Sequence, residues 1–303
     1  MTDHAPNPTG LPFDDFRALV KTMPAPTIGA APDCGAGELA NWIGAWQGRP
    51  RPAVSMPTVC LFAASHESGL DGRVDEAMKA VQSLLEMTAA GGAPVNPVCL
   101  EVNAGLKAFD LAIDMPVPDI IREDAHDEAG AAATIAFGME AIAGGSDLLG
   151  LSAIEVGGKL SALTVATALM GEDGMILSEQ EGRFVDAVFA RKGQLPTDSL
   201  EIMRAFAGRE VIALVGAIMA ARHEQVPVFI DGLPALAAAL ILHRLDRATL
   251  AHVRLAAVAG PQEAAIAEAI GLSPVLNLAV TAGPGVASSM VIGLARAAIG
   301  MQR

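Results

Sequence analysis

Short apolar runs alternate with stretches of helical periodicity along most of this chain. Residues 58–64 (TVCLFAA) and 226–230 (VPVFI) are typical of buried strands, whereas residues 74–89 and 209–224 repeat their apolar positions with a helical period. Further strands are predicted at residues 107–113, 148–151, 250–257 and 275–278, and further helices at 128–143, 160–170, 181–191, 234–244, 262–270 and 287–299. The alternation predicts an α/β fold, a doubly wound parallel sheet with helices on both faces.

The first 50 residues depart from this pattern. Residues 13–21 and 37–46 predict two helices, and residues 48–57 (GRPRPAVSMP) are typical of a linker. We therefore expect a small helical subdomain in residues 1–50 and a Rossmann-like α/β domain in residues 51–285.

Composition and charge narrow the possible partners. Of the 303 residues, 52% are hydrophobic and 4% aromatic, which predicts an aliphatic core and excludes intrinsic disorder. The formal net charge of −14 makes nucleic acid and anionic membrane surfaces unsuitable partners. The uncharged segment 269–295 is broken by prolines, glycines and polar residues, which favours a strand, a loop and a buried helix over a membrane span.

Cysteine usage and the N-terminus favour a cytoplasmic protein. The three cysteines, Cys34, Cys60 and Cys99, are widely spaced and match neither a disulfide framework nor a zinc site, which favours reduced thiols. Residues 1–10 lack the features of a secretory signal. No histidines have metal-ligand spacing, and the acidic segment 122–128 is more typical of a solvated helix start than of a cation site. Since a dinucleotide fingerprint is also missing, we expect neither a metal nor a cofactor.

Ligands of open parallel sheets bind outside the carboxyl ends of the strands. The loops expected at that edge are residues 65–72, 103–105, 152–159, 231–233, 257–262 and 281–286. Candidate ligand-binding residues are therefore sought in these loops.

The loop 152–159 carries two candidate features. The backbone amides of Gly157, Gly158 and Lys159, ahead of a helix, are placed to bind a phosphate, although the spacing is not that of a P-loop; an ordinary strand-to-helix turn is the alternative. Glu155 is a candidate base or ligand for a hydroxyl group, and a solvated loop charge is the alternative.

Three other loops supply candidates. His66 follows a predicted strand, where it contacts a ligand or makes a structural hydrogen bond. Asp231, next to Gly232, either orients a substrate or caps the helix that follows. Gly283 and Gly285 precede the last helix, where the amides of Gly285 and its successor could face an anion.

Several stretches match a known family. The clearest is residues 208–232 (GREVIALVGAIMAARHEQVPVFIDG), and residues 12–20, 45–52, 89–96, 109–113 and 136–141 match as well. On these stretches the chain resembles the nicotinate-nucleotide:dimethylbenzimidazole phosphoribosyltransferases, which make α-ribazole phosphate for the lower ligand of cobalamin. The resemblance implies a doubly wound parallel sheet, a helical subdomain completed by residues 286–303, and a homodimer. It also adds Asn96, at the end of the matching AAGGAPVN stretch, to the ligand-binding candidates.

The family's functional motifs are altered in this chain. The GEMGIGNTT-type loop corresponds to residues 152–160 (SAIEVGGKL), where the family's glutamate falls on Ala153, and a family lysine falls near Glu181. The HxSAEPGH-type loop corresponds to residues 257–264 (AVAGPQEA), and the PPGSLG-type segment to residues 29–35 (GAAPDCG). The RLGEGSG-type motif, which carries the family's presumed catalytic glutamate, corresponds to residues 281–287 (TAGPGVA), so that this glutamate falls on Pro284.

These changes lead to three hypotheses. Transfer of ribose phosphate to a benzimidazole nitrogen needs a base, typically worth about 10²–10⁴ in rate, and proline cannot act as one. The first hypothesis is a non-catalytic or repurposed family member, a pseudoenzyme that binds a nucleotide, an aromatic base or a partner chain. The second is an active phosphoribosyltransferase that uses Glu155 as a displaced base. The third is a structural subunit that pairs with a catalytic homologue.

Overall fold

The computed structural model describes residues 12–28 and 36–301. Five strands form one sheet in the order β2-β1-β3-β4-β5, and every pair is parallel. The strands are β1 (Pro57–Ser65), β2 (Gly105–Asp110), β3 (Leu148–Val156), β4 (Val228–Ile230) and β5 (Val253–Leu255). The predicted parallel sheet is therefore confirmed.

Helices cover both faces of this sheet. They are α1 (Phe13–Lys21), α2 (Ala36–Gln47), α3 (Val74–Ala89), α4 (Val95–Glu101), α5 (Glu128–Gly138), α6 (Gly158–Met170), α7 (Glu179–Lys192), α8 (Ser199–Phe206), α9 (Arg209–His223), α10 (Leu233–Leu245), α11 (Pro261–Ala269) and α12 (Val286–Gly300). Residues of β1 alternate between two cores: Cys60 and Phe62 pack with α5, α6, α9 and α10, while Val59 and Leu61 pack with α2, α3 and α12. This period-2 alternation is what a sheet buried on both faces requires.

The N-terminal helices contribute to different cores. Helix α2 packs with α12, and the indole N–H groups of Trp42 and Trp46 donate hydrogen bonds to the carbonyl of Ala251. Helix α1 buries Phe13 and Phe16 in the other core. The division into a subdomain of residues 1–50 with 286–303 and a domain of residues 51–285 stays a prediction.

Several predicted elements differ in their bounds: the helix predicted at 128–143 ends at Gly138, and the strands predicted at 107–113 and 250–257 are β2 and β5 with the bounds given above. Two further differences bear on the ligand-binding edge of the sheet. Residues 275–278 form no strand: the amides of Val275 and Leu276 donate to Leu255 and Ala256, but pairing with β5 is limited to a bridge at Pro274, whose imino nitrogen has no proton to donate. Strand β3 continues to Val156, beyond the predicted end at residue 151, so that Glu155 lies in a strand rather than in a loop.

Two further expectations concern a membrane span and the segment 29–35. None of the helices within the described ranges is long and apolar enough to cross a membrane. The segment 29–35, together with Cys34, lies outside the described residues.

Candidate functional site

A cavity of about 530 Å³ opens at the carboxyl ends of β3 and β4. Its wall is completed by the segments that precede α11 and α12 and by the first turns of α6, α10 and α11. The apolar part of the wall consists of Leu84, Ala153, Leu233, Pro234, Ala257, Val280, Pro284 and Ala287. Its charged groups are the carboxylates of Glu155, Asp231 and Glu263 and the ammonium group of Lys159. A volume of this size, mostly apolar with a few polar groups, is typical of a small-molecule site.

Glu155 holds the start of α6. The backbone N–H of Gly158 donates to its Oε2 at 2.7 Å, and the N–H of Lys159 also donates to this carboxylate. Burial, and then the nearby charge of Glu210, raise the pKa of Glu155. Two of the three amides that are expected to bind a phosphate, those of Gly158 and Lys159, therefore already bind a carboxylate of the chain itself.

Asp231 connects β3, β4 and α12. The hydroxyl of Ser152 donates to its Oδ1 at 2.7 Å, and the backbone N–H of Ser288 donates to its Oδ2 at 2.8 Å. Burial raises the pKa of Asp231. The sequence had suggested a cap for the helix that follows, but α10 has no side-chain cap. The carboxylate caps α12 instead, because α12 begins beside the carboxyl end of β4.

Glu263 was missed by the sequence analysis. It lies in the first turn of α11, where its Oε2 accepts a hydrogen bond of 2.6 Å from the backbone N–H of Ala259. Burial raises its pKa. The sequence does contain a signal for it: Glu263 follows the helix-starting Pro261 by two residues. From that position a carboxylate can reach back to the backbone before the helix.

Lys159 is the cation of this cavity wall, and it is paired. Its Nζ lies 2.7 Å from Oε1 of Glu181, in the first turn of α7. The Lys159 side chain is 52% exposed and that of Glu181 is 12% exposed. Glu181 also accepts a hydrogen bond of 2.9 Å from the side-chain amide of Gln262. Glu181, which stands near the position of a lysine in the family, therefore contacts Lys159 directly.

A buried ion pair lies behind the first turn of α6. Nε2 of His66 is 3.1 Å from Oε2 of Glu210, and both side chains are fully buried. Burial opposes both charges, yet the attraction between the two groups raises the pKa of His66 and lowers the pKa of Glu210. Gly158 makes room for the pair, because a Cβ there would lie 2.8 Å from Nε2 of His66.

The structure brings only some of the predicted site residues to the cavity. Glu155, Lys159, Asp231, Gly232 and Gly283 line it, and Pro284 lies beside Gly283 in the same wall. Their role in ligand binding stays a prediction.

The remaining candidates lie outside the cavity wall. His66 is in the buried pair, and Gly157, Gly158 and Gly285 shape the starts of α6 and α12. Asn96 supports α4: its Oδ1 accepts from the amide of Ala93, and its Nδ2 donates to the carbonyl of Thr88. Within residues 12–28 and 36–301, no cluster of three or more histidine, cysteine or carboxylate side chains is arranged to hold a metal ion.

Comparison with known proteins places this fold and cavity in a family. A family model described as phosphoribosyltransferase matches residues 35–303. The chain is 38% identical to the nicotinate-nucleotide–dimethylbenzimidazole phosphoribosyltransferase of Agrobacterium fabrum, over 96% of this chain and 92% of that protein. The chain belongs to this phosphoribosyltransferase family. The enzyme of the same name from Rhizobium etli is 39% identical, over 96% of this chain and 94% of that protein.

The resemblance noted from the sequence is therefore confirmed, and solved structures agree on the fold. CobT from Thermus thermophilus superimposes with a TM-score of 0.77 and 22% identity, covering 95% of this chain and 94% of that one. A second structure, a nicotinate-nucleotide–dimethylbenzimidazole phosphoribosyltransferase from the same organism, gives a TM-score of 0.78 at 22% identity. At this identity the likeness establishes the fold alone.

Proposed function

We propose that this family member binds a neutral or protonated nitrogen heterocycle in the cavity and does not transfer phosphoribosyl groups. The relatives' name specifies a nicotinate nucleotide and dimethylbenzimidazole as substrates. Of these two, the aromatic base fits the cavity wall described above, and the phosphorylated nucleotide does not.

The observation that carries this proposal is the state of the helix starts around the cavity. Glu155 binds the amides of Gly158 and Lys159 at the start of α6, and Asp231 binds the amide of Ser288 at the start of α12. Glu263 binds the amide of Ala259, two residues before α11 begins. Helix N-termini are the usual backbone sites for phosphate. At α6 and α12 a phosphate would have to displace a carboxylate of the chain, and it would be repelled by all three carboxylates.

The apolar part of the cavity wall suits an apolar ring. Leu84, Leu233 and Val280 provide aliphatic surface, and Pro284 lies where the family resemblance places a catalytic glutamate. Proline has no ionisable group and no backbone N–H, so it can neither accept a proton nor bind an anion through its amide. Glu155 and Asp231 remain to hydrogen-bond a ring nitrogen.

One observation favours an active phosphoribosyltransferase as a second candidate. Glu155 lines the cavity, and burial together with Glu210 raises its pKa, which brings a carboxylate nearer to the range of an effective general base. In that case Glu155 would take the proton from the benzimidazole nitrogen.

Two measurements separate the candidates. Purified protein is incubated with nicotinate mononucleotide and dimethylbenzimidazole and assayed for α-ribazole phosphate, and each compound is titrated by calorimetry. We expect binding of dimethylbenzimidazole, no binding of the nucleotide and no product. Micromolar binding of the nucleotide contradicts the proposal. Product that is lost in Glu155→Ala but kept in Glu268→Ala, an exposed carboxylate on α11, establishes the second candidate.

Two accompanying expectations stay part of the proposal. The chain is expected to form a homodimer or a heteromer with a catalytic homologue, which light scattering of the protein alone and mixed with such a homologue would distinguish. A cytoplasmic location is expected from its cysteine usage.

A further inference from the structure

We propose that Glu181 determines whether the cavity accepts an anionic ligand. Its carboxylate pairs with Lys159, and removing the charge of Glu181 would free that lysine to bind an anion. This inference rests on the proposed function and assigns the exclusion of anions to one residue. The ion pair joins two helices, because Lys159 belongs to the first turn of α6 and Glu181 to the first turn of α7.

The carboxylate of Glu181 is held in place by groups other than Lys159. Ser178 and Glu181 form a reciprocal capping box, in which the amide of Ser178 donates to Oε2 at 2.8 Å. The side-chain amide of Gln262, on α11, donates to the same oxygen at 2.9 Å. Oε1 is left to face Lys159 at 2.7 Å. Since the carboxylate is already immobilised, pairing with it costs the lysine only its own side-chain freedom, unlike an ordinary surface ion pair.

Glu181 is also ionised at neutral pH. Burial acts to raise its pKa, but the hydrogen bonds from Lys159 and from Ser178 outweigh burial and lower the pKa to about 2. The neighbouring carboxylates of the cavity, Glu155 and Glu263, add further negative charge around the lysine. An anionic ligand therefore meets a neutralised lysine within an acidic wall.

The two members of the pair face different spaces. Lys159 lines the cavity of about 530 Å³, whereas Glu181 lines a neighbouring cavity of about 640 Å³ between α7 and the loop after β1. An anion that binds Lys159 from the first cavity therefore need not enter the volume of Glu181. The barrier to anion binding is the charge of Glu181 rather than its bulk.

The test is a gain of binding. Glu181→Gln removes the charge and keeps the cap, because glutamine serves in a capping box as glutamate does. Ribose 5-phosphate and nicotinate mononucleotide are titrated into the wild-type protein and the variant by calorimetry at low ionic strength. We expect the variant to bind ribose 5-phosphate at least about tenfold more tightly than the wild-type protein, as one added charge-assisted hydrogen bond allows. The gain should shrink as salt is added.

The control is a second glutamate of the same helix turn. Glu179→Gln changes the net charge equally and releases Arg183, which pairs with Glu179 at 2.6 Å and is 68% exposed, outside the first cavity. It should bind ribose 5-phosphate no better than the wild-type protein. The double variant Lys159→Met/Glu181→Gln should lose the gain. Glu181→Ala, which removes the carboxylate by another route, should reproduce it.

The outcomes separate this inference from the proposed function. If Glu181→Gln and Glu181→Ala are folded by circular dichroism and bind no better than the wild-type protein, or if Glu179→Gln gains as much, Glu181 is not the determinant. If the wild-type protein already binds nicotinate mononucleotide tightly, the proposed function itself is wrong.

Discussion

The carboxylate of Asp231, at the end of β4, accepts a hydrogen bond from the backbone N–H of Ser288 in the first turn of α12 at 2.8 Å. The two residues are 57 positions apart, and the contact attaches the last helix to the edge of the sheet where the cavity opens. An N-terminal carboxylate also complements the partial positive charge of the helix start. This contact supports the structure and fills an anion-binding position at the same time.

Asp231→Ala should lower the free energy of unfolding. The amide of Ser288 and the hydroxyl of Ser152 would both lose their buried acceptor, which predicts a loss of about 1–3 kcal/mol in urea denaturation. Asp231→Asn should cost less than half as much, because asparagine caps helices well and because burial, which raises the pKa of Asp231, disfavours a charge at this position. Equal losses in both variants would contradict the capping role.

Gly285→Ala should also destabilise the protein. Gly285 has φ +78°, and a Cβ there would lie 2.7 Å from Cδ2 of Leu61 and 3.1 Å from Cγ1 of Val59. The left-handed backbone and the overpacking together predict a loss of about 2–5 kcal/mol in urea denaturation. The matched control is Gly260→Ala, ahead of α11, where φ is −164° and no atom lies within 4 Å of the added methyl group. Its unfolding midpoint should stay near that of the wild-type protein.

Breaking the His66–Glu210 pair should cost more than Asp231→Ala. His66→Gln or Glu210→Gln leaves one buried charge without its partner, which predicts a loss of about 3–5 kcal/mol, and the double variant should lose less than the two losses added together. His243→Gln, at the partly exposed end of α10, is the control and should change little. Additive losses in the double variant would show that the two groups do not interact.

The pH dependence of these variants follows from the two pKa shifts. The stabilisation from Glu210, whose folded pKa is lowered, is present above its unfolded pKa and is lost as the pH falls through the folded value. The stabilisation from His66, whose folded pKa is raised, is present below its unfolded pKa and is lost as the pH rises through the folded value. The difference in unfolding free energy between the wild-type protein and the double variant should therefore be greatest between the unfolded pKa values of the two groups, about 4.3 for glutamate and about 6.5 for histidine.

Glu155→Gln should flatten the pH dependence of base binding. The protonated carboxyl group of Glu155 can donate a hydrogen bond to an unprotonated ring nitrogen, or it can transfer its proton to that nitrogen. In both cases the carboxyl group and the nitrogen share one proton in the complex. Because burial and Glu210 raise the pKa of Glu155, affinity for dimethylbenzimidazole should fall as the pH rises through that value. In the variant this alkaline limb should disappear. Calorimetry in buffers of different ionisation enthalpy measures the proton directly, and an unchanged limb in Glu155→Gln would falsify the assignment.

Local patterns predicted many elements but missed two helices. Helices α1 and α3 begin and end at the predicted residues, because their apolar positions repeat over at least two turns. Helix α4 was missed because its seven residues are too few for a clear period, and Pro97 lies within its first turn, where proline is tolerated. Helix α8 has eight residues, too few for a clear period, but Asp198 is a recognisable cap whose carboxylate accepts from two amides of that helix.

The sequence predicted where the site residues lie better than it predicted which groups they contact. Glu155, Lys159 and Asp231 were identified because they follow or end predicted strands, and they do line one cavity. The pairing of Lys159 with Glu181 depends on how α7 packs beside α6, which no local pattern encodes. The same holds for His66 and Glu210, which are 144 positions apart.

The amino-acid sequence by itself determined the α/β class, the aliphatic core, the acidic balance and the family resemblance, because these depend on composition, short-range periodicity and matching stretches. Only the tertiary structure decided that two carboxylates occupy the starts of α6 and α12, that a third holds the segment before α11, and that a fourth neutralises the cavity lysine. Hydrogen bonds and ion pairs require distances near 3 Å between groups that the chain brings together only when the sheet and its helices are assembled.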